Sequence, residues 1–201
     1  ISAYAQVLVN PGATSYSTLA SACTAINAGT HTGAVTVEIS ANTTETATCV
    51  INSSGAGSAN YTSINIYPTV DGVTINGSTT AASGRGVIEL NGADNVTIDG
   101  DNPNSAGINR NLTIINNNSS TTTYTSVVRI ALSTLISSGN NNTVKNAILT
   151  GSATGRNIST ATSTSGSEHT TYGILVGGGA STVLATTSPS AITSVSTTIG
   201  S

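Results

Sequence analysis

Apolar and polar residues alternate over short stretches of this chain, and the alternation predicts β-strands. In residues 72–77, Val73 and Ile75 flank Thr74, and Gly77 closes the segment. Alternation places the two aliphatic side chains on one face of a strand and the threonine on the other. Glycine and asparagine tolerate the left-handed backbone of a sharp bend, so the segment predicts a short strand followed by a turn. Related segments lie at residues 95–100, 111–116 and 141–146, and a weaker one lies at 34–38.

The recurrence of this segment indicates a repetitive all-β fold. Other strand-like runs lie between the repeats, at residues 63–67, 87–90, 127–130 and 172–176. No long helical pattern follows residue 29, and parallel strands that lack crossover helices favour a solenoid of stacked coils. We therefore predict an all-β fold, a right-handed parallel β-helix with a short N-terminal capping helix. Turn pairs such as Asn76-Gly77 also suit hairpins, so an antiparallel β-sandwich is the alternative.

The N-terminal region predicts the capping helix and one extended segment. Ser15 or Thr14 is placed to cap a helix over about residues 15–28, and Gly29 ends it. Residues 1–11 are expected to form an extended strand, of which residues 1–5 are either a signal-peptide remnant or part of the strand. Residues 12–201 are expected to form one β-helix domain. The positions at helical spacing are Tyr16, Leu19, Ala20, Cys23 and Ile26.

The chain contains two cysteines, Cys23 and Cys49. Cys23 lies on the apolar side of the predicted helix, and Cys49 shares a strand face with Ala47 and Ile51. A helix lying on the first strands brings the two together, and an even cysteine count in a secreted protein favours a disulfide. Two buried thiols that act as small apolar residues are the alternative.

Composition excludes several classes of protein. Charged residues make up 6% of the chain, with 5 bases, 8 acids and a net charge of -3. So few scattered bases cannot form the positive surface that a nucleic-acid-binding protein needs. No apolar run is long enough for a membrane-spanning helix. We expect no nucleic-acid partner and no membrane span, and we expect a secreted protein, located extracellularly or at the cell surface.

Over about residues 12–152 the chain resembles the right-handed parallel β-helix proteins that Bacteroidetes-type bacteria secrete. The matching stretches are YSTLA at 16–20, AINAGTHTG at 25–33, NTTET at 42–46 and LNGADNVTIDG at 90–100. The resemblance implies the β-helix fold and membership of large, adhesin-like surface proteins.

The sequence predicts no enzyme, no metal site and no cofactor. β-Helix hydrolases and lyases need carboxylates clustered with basic residues, and the motifs of the hydrolases are absent. One acidic cluster faintly resembles a calcium loop, but Pro103 stands where a third ligand is needed, and turn formation explains the acids more simply. His31 and His169 are expected to be solvated loop residues. The cluster consists of Glu89, Asp94, Asp99 and Asp101, with Arg110 nearby.

Uncharged strands near both ends of the chain predict self-assembly. Unpaired strand edges recruit other strands unless charge, proline or a cap prevents it. A strand of one copy that adds to a sheet of the next makes a head-to-tail contact, and repetition of that contact builds an open fibre or sheath. The partner is therefore expected to be a second copy of this chain. The predicted subunit contacts are Gln6, Val7, Leu8 and Val9 on one side and Ile192, Val195 and Ile199 on the other.

Loops rich in serine, threonine and asparagine are candidates for covalently attached glycans, which would supply solubility that the few charges do not. An adhesin or surface-binding module is the alternative function, and a polysaccharide lyase or hydrolase a more remote one. An ice-binding face is a further alternative, built on Thr36, Thr74, Thr97, Thr113 and Thr143. The candidate glycosylation positions are Asn117, Asn118, Ser119, Thr121, Thr122 and Thr123.

Overall fold

The computed structural model describes residues 6–78, 84–119, 124–132, 139–152, 171–179 and 197–200, and these residues form one helix and fifteen strands. The N-terminal elements are β1 (Val7–Asn10), β2 (Thr14–Tyr16) and α1 (Leu19–Asn27). The remaining strands are β3 (Gly33–Ile39), β4 (Thr43–Glu45), β5 (Cys49–Asn52), β6 (Tyr61–Pro68), β7 (Val73–Gly77), β8 (Gly86–Asn91), β9 (Val96–Asp99), β10 (Leu112–Asn116), β11 (Thr125–Leu132), β12 (Asn142–Lys145), β13 (Ala147–Gly151), β14 (Thr171–Gly179) and β15 (Thr197–Gly200).

The described strands form three sheets. Sheet 1 has the order β15-β12-β9-β6-β3-β1-β2, sheet 2 the order β13-β10-β7-β4, and sheet 3 the order β14-β11-β8-β5. All pairs in sheets 2 and 3 are parallel, whereas β1 is antiparallel to both of its neighbours in sheet 1. The strands latest in the chain, β13, β14 and β15, therefore lie at one edge of each sheet, and β4, β5 and β2 lie at the opposite edges.

Aliphatic side chains in register form the core. In sheet 1, Val37 pairs with Ile66, which pairs with Ile98, and all three are fully buried. In sheet 2, Ile75 pairs with Ile114 in the same way. Each fully buried aliphatic side chain stabilises the fold by about 1.5–3 kcal/mol. One apolar cluster contains residues from all three sheets and from α1, so the sheets share a single core.

The predicted right-handed parallel β-helix is wrong for the part of the chain that the structure describes. One of the three sheets is mixed, and the described strands do not close into a solenoid. Any strand with one buried face requires alternation of apolar and polar residues, so the pattern predicted the strands but neither their direction nor the closure of the sheets. At the N-terminus, Gly12 (φ 109) and Ala13 (φ 46) reverse the chain and make β1 and β2 antiparallel.

Helix α1 begins later than the sequence indicated. Thr18, not Ser15 or Thr14, is the N-cap, and its side chain accepts a hydrogen bond from the Ser21 amide at 3.1 Å. Thr14 and Ser15 belong to β2 instead. Gly29 follows the helix with φ 76, a left-handed backbone that ends it. The buried face of α1 packs against the strands at the early edges of the sheets and contains Leu19, Ala20, Ala22, Cys23 and Ile26.

Among the described residues, no helix is long and apolar enough to cross a membrane.

Candidate functional site

Helix α1 packs against β5 and is joined to β4, the strands at the early edges of sheets 3 and 2. The carboxylate of Glu45 in β4 accepts hydrogen bonds from the Leu19 amide at 2.9 Å and the Ala20 amide at 2.8 Å. These amides have no partner within the helix, and a carboxylate at a helix N-terminus also interacts favourably with its dipole. Glu45 is 6% exposed, so β4 and α1 are joined by a buried, charge-assisted contact.

Asn27, the last residue of α1, closes part of the β5 edge. Its side-chain amide donates to the Val50 carbonyl at 2.7 Å and accepts from the Asn52 amide at 3.0 Å. These are two of the contacts that a neighbouring strand would otherwise make. Cys23 and Cys49 form a disulfide, with the sulfur atoms 2.01 Å apart, in the pairing that the sequence predicted. Asn27 therefore already engages two of the backbone groups with which a second polypeptide would pair at β5.

Strand β1 is paired on both edges, which removes it from the predicted subunit contact. β2 pairs with one edge of β1 and β3 with the other. Val7 and Val9 are fully buried, and the Gln6 side chain donates to the Asn42 carbonyl at 2.7 Å. The tight turn between β1 and β2 produces the pairing of these two strands, which the alternating sequence of β1 did not indicate.

Sheet 1 has an edge strand at both ends that no described strand covers. β2 pairs only with β1, and β15 pairs only with β12. Of the predicted contacts near the C-terminus, Ile199 lies in β15, whereas Ile192 and Val195 lie outside the described residues. Neither Thr14–Tyr16 nor Thr197–Gly200 contains a charged residue.

The outward side of sheet 1 is polar. Thr36 pairs with Asn65, Asn65 with Thr97, and Thr97 with Thr143, so these four residues form a row across neighbouring strands. The threonines of the ice-binding alternative divide between two sheets, because Thr74 and Thr113 pair in sheet 2. We call the outward residues of β3, β6, β9 and β12 the polar face; a second row on it contains Glu38, Tyr67, Asp99 and Lys145.

Hydrogen bonds and one ion pair fix this second row. Tyr67 donates its hydroxyl proton to Glu38 at 3.1 Å, and burial, followed by the Glu38 charge, raises the pKa of Tyr67. Lys145 Nζ lies 3.0 Å from Asp99 Oδ2. Partial burial alone would raise the pKa of Asp99, but hydrogen bonds from Asn146 and the Asp101 amide, together with Lys145, lower it below its ordinary value.

A groove of about 240 Å³ lies on the polar face. Asp101 Oδ1 accepts a hydrogen bond from the backbone N–H of Asn109 at 2.6 Å. This contact anchors the loop that forms one side of the groove. The exposed Asn65 amide and the second carboxylate oxygen of Asp101 make no hydrogen bond to any described residue. The described lining residues are Thr36, Asn65, Tyr67, Asp99, Asp101 and Pro103.

The structure separates the acidic cluster of the sequence. Glu89 is buried in sheet 3, where it pairs with Arg85 and accepts the Gly86 amide at 2.9 Å, so it has a structural role there. Asp94 accepts the Asn140 amide. Only Asp99 and Asp101 of the cluster line the groove. No group of three or more His, Cys, Asp or Glu that could hold a metal occurs among the described residues.

His31 is buried, contrary to the sequence-based expectation of a solvated loop residue. It is 1% exposed and contacts the Pro11 carbonyl through Nδ1 at 2.7 Å and the Tyr16 hydroxyl through Nε2 at 2.8 Å. Because a carbonyl oxygen only accepts hydrogen bonds, Nδ1 carries a proton and donates it to Pro11. His31 thus holds the turn between β1 and β2, whereas His169 lies outside the described residues.

The candidate glycosylation positions differ in exposure. Asn117 and Ser119 are exposed, and the Asn117 amide donates to Asn76. Asn118 is 7% exposed, which leaves no room for a glycan on its side chain in this fold. Thr121, Thr122 and Thr123 lie outside the described residues.

Sequence reasoning missed the residues that build these sites. Glu45, Asn27 and His31 act through contacts with residues distant in the chain, and no local pattern indicates them. The sequence allows Tyr67 as a flat surface for a sugar but favours a packing role for it. Asn65 sits at an outward position of an alternating strand, which is a signal for exposure but not for a groove.

No protein-family model, curated protein or solved structure matches this chain. The resemblance to secreted β-helix proteins thus remains an expectation from the sequence alone.

Proposed function

We propose that this chain is an extracellular structural protein whose copies join head-to-tail through sheet 1. In this arrangement β15 of one copy pairs with β2 of the next, so that sheet 1 continues from copy to copy. The two strands are different surfaces, and a contact between different surfaces propagates into an open filament. The proposal assigns the chain no catalytic role and no cofactor.

The single observation that supports this contact is the pairing within sheet 1. β2 and β15 each pair with one described strand, while β1 is paired twice and part of the β5 edge is occupied by Asn27. Both edge strands also lack the charged or proline residues that block strand addition. The predicted contact therefore keeps Ile199 in β15, and residues of β2 replace those of β1.

The proposed extracellular location rests on the disulfide. Disulfides persist in secreted and cell-surface proteins and are rare in reducing compartments. Glycans at Asn117 or Ser119 would be compatible with the exposure of these residues. Mass spectrometry of protein purified from its native source would show a bound sugar if this part of the proposal holds, and the unmodified mass if it fails.

Sedimentation velocity tests the assembly. The wild type is expected to form a concentration-dependent series of oligomers, and the variant Ser15→Lys is expected to stay monomeric, because a charge on an edge strand opposes pairing. Thr62→Lys is the matched control, since it puts the same charge on an exposed position of β6, inside sheet 1. A monomeric wild type, or equal loss of oligomers in both variants, would refute the contact.

A second candidate function is binding to a foreign surface, as in an adhesin. The polar face favours it, because its groove presents the Asn65 amide and an Asp101 carboxylate oxygen that no described residue engages. A protein that remains monomeric and still binds a polysaccharide would support this function over assembly.

A further inference from the structure

We propose that the groove on the polar face binds a neutral hexose polymer. Its described lining combines one aromatic ring with amide, hydroxyl and carboxylate groups within about 240 Å³. Sugar rings present apolar C–H faces that pack on aromatic rings and hydroxyls that bind amides and carboxylates. Binding of this ligand rests on the second candidate function, and it neither requires nor excludes assembly through β2 and β15.

Tyr67 supplies the aromatic surface. Its hydroxyl is held by Glu38 at 3.1 Å, so the ring has a fixed position rather than a free rotamer. A ring that is already ordered loses little conformational entropy when a ligand packs on it. Pro103, which is exposed in the loop after β9, adds a second apolar surface to the groove.

Asp101 and Asn65, rather than Asp99, offer the polar groups that a sugar hydroxyl can reach. Both oxygens of Asp99 are already engaged. Oδ2 pairs with Lys145, and Oδ1 accepts hydrogen bonds from the Asn146 side chain and the Asp101 backbone amide. Asp101 uses one carboxylate oxygen for the Asn109 amide, and its other oxygen has no partner among the described residues. Asn65 adds an exposed amide, which offers both donors and an acceptor.

Charge selects neutral over acidic sugars. Glu38, Asp99 and Asp101 lie at or beside the groove, and Lys145 is paired to Asp99. The local charge is therefore negative, and a polymer of uronic acids would be repelled. Hexose hydroxyls carry no charge, so the acidic groups do not repel them.

Binding of hexamers of glucose, mannose, galactose and galacturonic acid, measured by isothermal titration calorimetry, tests the proposal. At least one neutral hexamer is expected to bind the wild type, and the galacturonic acid hexamer is expected not to bind. Tyr67→Ala and Asn65→Ala are each expected to weaken binding about tenfold or more, and Tyr67→Phe, which keeps the ring but loses the contact with Glu38, is expected to weaken it less than Tyr67→Ala.

Tyr172→Ala is the matched control, since Tyr172 is a partly exposed tyrosine of β14 that does not line the groove. It should leave binding unchanged. Absence of binding by every neutral hexamer, equal binding of the uronate, or equal weakening by Tyr172→Ala would overturn the proposal. Circular dichroism of each variant separates lost binding from lost folding, and sedimentation velocity reports assembly independently.

Discussion

At the scale of single residues, the sharp bends depend on two different properties of glycine and asparagine. Asn95, Asn141 and Asn146 adopt φ values of 58, 57 and 52, the left-handed backbone that asparagine tolerates. Gly100 does not have a positive φ; it is required because the Asn146 backbone packs directly against its α-carbon. The sequence pattern grouped these residues as equivalent strand ends, and only the packing of neighbouring bends distinguishes them.

Gly100→Ala is predicted to destabilise the protein by about 3 kcal/mol, because the added methyl group would overlap the Asn146 carbonyl oxygen. Gly173→Ala is the control, since a methyl group there would meet the Leu149 side chain at ordinary contact distances of 3.9 and 4.0 Å. Urea unfolding of both variants measures the difference. Equal stability of the two would show that the bends are not packed this tightly.

Glu45 provides a second test at this scale. Glu45→Gln keeps the size of the side chain but removes its charge and replaces one acceptor oxygen with a donor that faces an amide. We predict a loss of about 2 kcal/mol in the free energy of unfolding, measured in urea at neutral pH. An unchanged value would mean that the contact with the Leu19 and Ala20 amides contributes little to stability.

At the scale of elements, the strands were largely predictable and their partners were not. The segments at 72–77, 95–100, 111–116 and 141–146 all contain strands, because alternation with one buried face is a local property. The antiparallel pairing of β1 depends on the turn at Gly12 and Ala13 and on His31, which is distant in sequence. The groove likewise requires residues of three strands and one loop, and no local pattern encodes that combination.

The disulfide between α1 and β5 is predicted to contribute strongly to the free energy of unfolding. Cys23 and Cys49 are separated by 26 positions, and opening a loop of this size is expected to cost about 3–4 kcal/mol through the entropy of the unfolded chain. The double variant Cys23→Ser with Cys49→Ser should show this loss in urea unfolding. Reducing agent should lower the stability of the wild type by a similar amount and leave the double variant unchanged. Reduction without any effect on the wild type would contradict the prediction.

The ion pair between Asp99 in β9 and Lys145 in β12 is expected to make the stability of the protein depend on pH. A carboxyl group whose pKa is lowered by folding stabilises the protein above its ordinary pKa, and the contribution is lost as the pH falls through the lowered value. Asp99 is such a group. The wild type should exceed Asp99→Asn in unfolding free energy by about 1 kcal/mol at pH 7, and the difference should shrink below about pH 4. A difference that stays constant down to pH 2 would contradict this assignment.

At the scale of the whole molecule, the distribution of closed and open edges is the feature with the largest consequence. Helix α1 is joined to β4 through Glu45 and occupies part of the β5 edge through Asn27, and β1 is paired on both sides. In sheet 1, no described strand pairs with the outer edge of β2 or of β15. The proposed assembly therefore depends on one specific pairing between copies.

Disulfide trapping tests that pairing most directly. A variant that combines Ser15→Cys in β2 with Thr198→Cys in β15 should give a ladder of covalent oligomers after mild oxidation, seen on a non-reducing gel. Each single variant should give at most a covalent dimer, because one thiol can link only two copies. A double variant that yields no more than the single variants do would contradict head-to-tail assembly through sheet 1.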